Sequence, residues 1–368
     1  KIIAKLSDWN SWENNLLLLG QDIVLSSNLY NKFQTVGGIL KALKESVYNH
    51  CRLAKTQNLF KEHSPITEFH GTRFPIVQGP MSRVSDNVSF ALEVAKNGAL
   101  PFFALGLMKG KRLVNLLKDA QNALSDYSWG VGILGFAPQE VLIEQQKAIL
   151  HYHPSFIIIA GGLPEQANFF EKEDIKTYIH VPSPSLLKMF LKNGGRRFIF
   201  EGRECGGHVG PLSGFVLWET TIEVLLEHIK SENNKEEPYN ILFAGGIHDT
   251  LSASMIASMA ATLSEKGIQI GVLIGTAYLF TEEAVKSGAI LDNFQKKAIC
   301  CNETVLISSG AGHAVRCLNT PYVKFFEEEK YRLQKMGKTG DELREALERM
   351  NLGRLQTVSY THLTLPTN

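Results

Sequence analysis

The chain has 368 residues, of which 44% are hydrophobic and 20% charged, and a formal net charge of +1. That composition suits a globular protein with a large core. It gives no reason to expect nucleic acid or an anionic membrane surface as a partner, and no apolar run nears the roughly 20 residues of a membrane span. The five cysteines (Cys51, Cys205, Cys300, Cys301 and Cys317) are few, odd in number and without the paired spacing of a zinc site. No metal is expected, and a reducing, cytoplasmic compartment is. There is no signal-peptide pattern. The chain opens with Lys1 rather than Met, so a piece of something longer is expected.

Residues 1–69 show no alternation of strand and helix. They carry Trp9, Trp12, the short run Leu16–Leu19 and a basic, His-containing helical stretch from Gly38 to Glu62, and they read as an extension packed on the outside of the main domain. From Arg73 a rhythm sets in. Short apolar runs at Pro75–Gly79, Leu100–Leu105, Gly130–Gly135, Phe156–Gly161, Thr177–Val181, Arg197–Gly202, Ile241–Gly245 and Gly271–Gly275 read as parallel strands covered on both faces. Helices are expected between them at Val88–Asn97, Lys111–Leu124, Gln139–His151, Ser185–Asn193, Glu219–Ser231 and Thr250–Lys266. Eight strands with intervening helices predict an α/β fold, a (β/α)8 barrel over residues 70–320, ahead of an open doubly wound sheet. A charged helical segment follows over 321–357, with Lys324 to Arg354 expected as exposed helix and Gly337–Gly340 as a turn. Residues 358–368 break the pattern, resemble translated adapter read-through, and are given no function.

Three glycine-rich strings carry the chemistry. Phe200–Pro211, reading FEGRECGGHVGP, follows the sixth strand and so lies at the catalytic face of a barrel. There Gly206 and Gly207 let the backbone approach a flat ligand and present His208, which can exchange protons near neutral pH or donate to a developing negative charge. The alternative is a glycine turn whose histidine merely bonds the backbone. Gly245 and Gly246 follow the seventh strand, and Gly275 and Thr276 the eighth. In consecutive units these glycine amides and the Thr276 hydroxyl form a phosphate site of the kind barrels build there. At the first strand, Gly79, Pro80 and Met81 would make a rigid apolar wall with free backbone polar groups. Cys205 is too close in sequence to His208 to pair with it as a nucleophile. Ser308–His313 reads as a flexible polar loop, and His151, His153 and His180 as helix-end and loop histidines.

The strings PIVQGPM, EGRECGGHVG, FAGGIHD and IGTAYLFTEEA, over roughly residues 70 to 320, resemble the nitronate monooxygenase (2-nitropropane dioxygenase-like) family, which includes flavin-dependent enoyl-ACP reductases. The resemblance implies a TIM barrel with non-covalent FMN and places the catalytic histidine on His208. It puts phosphate contacts on Gly245, Gly246, Gly275 and Thr276, and ring contacts on Gly79, Pro80 and Met81, with Glu201 and the Gly206–Gly207 pair beside the ring. Further strings (FQTVGGIL, HVPSP, GRECGGHVGP with FVLWE, and Asn351–Leu355) look like the reductase-like region of large bacterial polyketide and polyunsaturated fatty acid synthases. That implies acyl carrier and other synthase domains as partners.

One departure stands out. Family members often carry Asn in a GVN string after the third strand begins, and here Gly132 takes that place, so any flavin contact there falls to the backbone or is absent. The reading that follows is an FMN enzyme in which NAD(P)H reduces the flavin and a carrier-bound enoyl thioester accepts hydride. Its rivals are nitronate monooxygenation, a barrel kept as a non-catalytic docking module, and a non-flavin barrel holding a phosphorylated substrate.

Overall fold

A computed structural model of the chain describes residues 16–231, 237–310 and 312–351. Trp9, Trp12, the 352–355 part of the last synthase-like string and the tail 358–368 lie outside them. The chain divides into two compact units, residues 1–48 and 49–368. The first holds a 3-10 turn at Gln21–Leu25, helix α1 (Ser26–Phe33) and the start of α2 (Val36–Gln57). Most of its apolar side chains, Leu16–Leu19, Leu40 and Leu43 among them, are exposed.

In the second unit the eight expected strands form one closed parallel barrel. They are β1 (Ile76–Gln78), β2 (Leu100–Gly106), β3 (Gly130–Leu134), β4 (Phe156–Ala160), β5 (Lys176–His180), β6 (Arg197–Glu201), β8 (Asn240–Ala244) and β9 (Gln269–Ile274). The pairing of Ile76 with Val272 and Val77 with Leu273 joins the last strand to the first and excludes the open sheet. Helices α4 (Val88–Lys96), α5 (Gly110–Ala123), α6 (Gln139–Tyr152), α8 (Pro184–Lys192) and α10 (Thr250–Ser264) fall where expected. Helix α7 (Pro164–Glu171) was not legible as a helix. It starts on a proline, and Gln166 Oε1 accepts the Leu163 N–H at 2.9 Å. Helix α9 (Gly214–Ser231) begins five residues before the expected start at Glu219, because the Glu204 carboxylate accepts the Gly214 N–H at 2.8 Å and opens the helix there.

Strand side chains alternate between lumen and helix layer. Val77, Leu100, Phe102, Phe156, Ile158, Tyr178, Ile199, Leu242 and Leu273 form the lumen core, whereas Phe103, Val131, Ile157, Phe198, Phe200 and Phe243 pack outward on helices. The helix-covered strands thus stay apolar on both faces. β3 turns only Gly130 and Gly132 inward, and the Phe102 ring fills the space above Gly130. The N-terminal end is stoppered by α3 (Pro65–His70), whose Ile66 and Phe69 join the lumen core. Fully buried His70 meets the Tyr178 hydroxyl at 2.8 Å. Burial, and then the nearby Lys176 charge, lower the His70 pKa from 6.5 to about 3, so it is neutral. The second half of α2 lies on α10, with His50 Nδ1 donating to Ser258 O at 2.8 Å.

Two segments differ from their sequence reading. Ser308–Gly310 and His313, expected in a polar loop, are strand residues. They end β10 (Thr304–Gly310) and begin β11 (His313–Leu318), which pair antiparallel, and the short strand β7 (Gly207–Val209) joins β11. The charged C-terminal segment is not simply exposed helix either. Helices α13 (Pro321–Lys335) and α14 (Gly340–Asn351), with the expected turn between them, bury Phe326, Leu333, Leu343 and Leu347 against Ile307 of the hairpin. Charges dominate the composition there, but the apolar residues recur at helical spacing, and that spacing governs what is buried.

Candidate active site

Stepping two residues beyond the lumen core on each strand gives the floor of the barrel mouth: Gly79, Ala104, Gly132, Ala160, His180, Glu201, Ala244 and Gly275. Six of the eight are Gly or Ala, so few side-chain atoms stand on the floor. The two functional side chains are neighbours. His180 Nδ1 lies 3.2 Å from Glu201 Oε2 on the adjacent strand, and His180 Nε2 is buried with no hydrogen-bond partner. His180 is therefore a strand-end lumen residue rather than a loop histidine. Counting by twos from Tyr178 was the signal that would have found it.

Above this floor the glycine turns meet. Gly245 and Gly246 have φ of 96° and 74°, and a Cβ on Gly245 would strike the Gly202 backbone at 2.8–2.9 Å. A Cβ on Gly246 would reach Glu204 at 3.1 Å, and one on Gly206 the Thr276 hydroxyl at 3.1 Å. The turns after β6, β8 and β9 are thus in van der Waals contact through residues that have no side chain. Thr276 opens a 3-10 helix, Thr276–Phe280, and the first N–H groups of a helix have no intrahelical acceptor. The structure brings together Gly206, Gly245, Gly246, Gly275 and Thr276, as the sequence motifs suggested.

The β1 turn closes the other side. Met81 approaches Gly275, with its sulfur 3.7 Å from where a Cβ would be, and the Pro80 ring lies 2.5 Å from the Cβ position of Gly132. The Pro80 ring therefore fills the volume that the Asn of the family's string would need. The expectation of free backbone polar groups here is overturned. The Gly79 N–H donates to Ile274 O at 2.9 Å, Met81 N–H to Ser85 Oγ at 2.7 Å, and the Gly79 carbonyl accepts from Gln78 Nε2. The turn is rigid because those groups are spent on it. The Pro80 ring covers Gly132, and the Met81 side chain is buried with Val84 and Phe90. Gln78 Oε1 is buried and unpartnered beside them.

His208 sits on β7, opposite Val315 of β11. Its Nε2 is 3.1 Å from the Gly312 carbonyl, which can only accept, so Nε2 carries the proton and Nδ1 is bare. That Nδ1 is buried and unpartnered. Burial, the largest influence, lowers the His208 pKa below its usual value, and the Gly312 hydrogen bond opposes it. Cys205 donates its S–H to the His208 carbonyl at 3.3 Å, and burial beside Glu201 holds the thiol pKa well above normal. It is no nucleophile in this state.

The class this architecture defines is the closed (β/α)8 barrel, here with a C-terminal mouth of small-residue floor positions and glycine turns. The family model for nitronate monooxygenase matches residues 139–356, more than half of the chain, and the chain belongs to that family. None of the curated proteins matches it. Among solved structures it is similar to FabK from Thermotoga maritima, with 22% identity over 80% of this chain and 85% of that one and a TM-score of 0.64. It is also similar to nitroalkane oxidase from Streptomyces ansochromogenes, with 17% identity, coverage of 71% and 81%, and a TM-score of 0.56. The enoyl reductase domain of MlnA from the macrolactin biosynthesis cluster of Bacillus amyloliquefaciens has 16% identity, coverage of 80% and 79%, and a TM-score of 0.56. At these identities the likeness is one of fold.

Proposed function

We propose that this chain is an FMN-dependent oxidoreductase that reduces the carbon–carbon double bond of an enoyl thioester carried on an acyl carrier. The observation that carries the reading is the mouth itself: six Gly or Ala floor positions beneath turns that touch through Gly206, Gly245 and Gly246. A Cβ at these turn positions would press on the neighbouring turn and push apart the amides that would hold a flavin's phosphate. FMN, when bound there, would supply hydride transfer from NAD(P)H to the acceptor. The Gly246, Gly275 and Thr276 amides and the Thr276 hydroxyl would hold the phosphate. Pro80 and Met81 would face the ring, and His180 Nε2, which lacks a partner, would supply a polar group at its edge. His208 would handle the proton at the carbon next to the thioester carbonyl. The enoyl assignment draws on the similarity to FabK and to a synthase enoyl reductase domain.

One observation favours a second reading. A neutral His208 with a bare Nδ1 is arranged as a proton acceptor, which suits removal of the α-proton of a nitroalkane. The purified protein, loaded with FMN, separates the two by stopped-flow absorbance. Bleaching by NADPH, with recolouring by an enoyl thioester, is the expected result. Bleaching by a nitronate with no response to NADPH assigns the second reading, and a colourless protein that takes up no FMN overturns both.

A further inference from the structure

The strand that carries His208 is not part of the barrel. Gly207, His208 and Val209 pair with Arg316, Val315 and Ala314 of β11, and the carbonyl that accepts from the imidazole belongs to Gly312, at the tip of the same hairpin. The next residue, His313, is buried, and its ring meets that of His208 edge to face, with centroids 6.1 Å apart and planes at 87°. His313 Nδ1 is in turn 3.0 Å from Glu348 Oε1 on α14. Ser309 Oγ lies 3.4 Å from the same carboxylate oxygen and 3.5 Å from the His313 carbonyl. Lys330 of α13 donates to the Ser308 carbonyl at 2.7 Å. The Glu348 and Lys330 contacts to the hairpin tip thus come from the two C-terminal helices, more than a hundred residues downstream of His208.

We propose that Glu348 and His313 are positioning residues for His208. The Glu348 carboxylate holds the His313 ring, the ring and the Gly312 carbonyl hold the His208 imidazole, and the carbonyl fixes its Nε2–H tautomer. An imidazole whose second nitrogen is pinned by a fixed acceptor offers a single protonation site to a ligand, the logic by which an orienting group directs a catalytic histidine elsewhere in enzymology. Here the acceptor is a backbone carbonyl, and what directs the carbonyl is a half-buried carboxylate paired with a buried imidazole. The inference rests on the reading of His208 as the proton-handling group.

The test uses the full chain loaded with FMN. Glu348→Ala is expected to lower kcat by about 10²-fold, the scale of a catalytic group displaced by an ångström, with KM for the acceptor little changed and FMN retained. Glu348→Gln, which keeps an acceptor oxygen, is expected to restore most of the rate. In a His208→Ala background, Glu348→Ala is expected to cost nothing further, because the two act as a unit. Long-range ¹H–¹⁵N spectra of the histidines, which need no turnover, should show His208 as the Nε2–H tautomer in the parent and as a tautomer mixture in Glu348→Ala. If that variant does not fold, His313→Leu, an apolar side chain at a buried position, asks the same question.

An unchanged rate and an unchanged His208 signal in these variants, with His208→Ala impaired, overturns the inference and leaves the functional reading standing. A loss that is equally large with and without His208 also overturns it. A His208→Ala enzyme as fast as the parent removes the functional reading itself.

Discussion

His180 Nδ1 lies 3.2 Å from Glu201 Oε2 where two neighbouring strands end in the barrel mouth. The other six floor positions are Gly or Ala, so among the floor positions this pair supplies the polar side chains. The two residues hold each other, and each single truncation leaves the partner without that contact. We expect His180→Ala and Glu201→Ala to be non-additive, with a coupling of about 0.5–3 kcal/mol in urea unfolding of the two singles and the double. Strict additivity would mean that the pair is not energetically coupled.

The direction in which activity titrates distinguishes the two functional readings. Burial sets the His208 pKa below 6.5, so the ring is neutral at pH 7 and gains its proton only on acidification. If His208 gives a proton to the reduced acyl chain, kcat rises as pH falls from 7 toward that lowered pKa. If it takes a proton from a nitroalkane, the rate is level near neutrality and declines as pH drops through the same value. Profiles of kcat with each substrate between pH 5 and 8 decide; the enoyl reading requires the rising acid limb.

Gly132 gives a third prediction. Restoring the family's asparagine, Gly132→Asn, is expected to weaken FMN binding rather than improve it, because the Pro80 ring occupies that volume. Gly132→Asn combined with Pro80→Ala should recover part of the loss. Fluorescence titration with FMN measures both, and tighter binding by the single variant would show that the ring gives way freely.

Gly245→Ala carries a left-handed backbone, φ 96°, into a collision with the Gly202 backbone. Gly267, φ 84°, has nothing within 4 Å of its Cβ position. Both alanines should cost about 1–3 kcal/mol from backbone strain, but only Gly245→Ala should empty the site of FMN. Thermal melts paired with flavin absorbance would reveal whether the two effects separate.

His70 predicts the acid stability. Its pKa falls from 6.5 to about 3 on folding. The unfolded chain therefore takes up a proton below pH 6.5 that the folded chain refuses until about 3. The stability this group contributes is complete above pH 6.5 and lost as pH falls toward 3, by roughly 5 kcal/mol at about 1.4 kcal/mol per unit. His70→Gln should flatten the fall in urea midpoint between pH 7 and pH 4; an equally steep fall would point to other groups.

The barrel was legible in the sequence because its signal is local and repeated. Seven of the eight strands are apolar runs ending near a glycine, such as Phe156–Gly161, and each of the eight lies within two residues of its expected place. The glycine turns were legible for the same reason, since a positive φ or a backbone contact leaves its mark on residue type. What stayed hidden depends on partners distant in sequence. His180 looks like any histidine before a Val-Pro pair until strand register sets it beside Glu201. His313 and Glu348 are 35 residues apart and 100 or more from His208, and the charged surroundings of α14 masked the apolar spacing that docks it. The Pro80 ring over Gly132 is likewise a fact of packing, which the lost asparagine hinted at but did not explain.

The stoppered end of the barrel has a kinetic consequence. With Ile66, Phe69 and His70 filling one end and Phe102, Phe156 and Tyr178 filling the middle, the well has one doorway, at the glycine turns. If FMN binds there as proposed, a reductant and an acceptor could not wait on opposite sides of its ring. They would visit in turn, one leaving before the other arrives, and initial-rate plots at several fixed reductant concentrations should run parallel instead of converging.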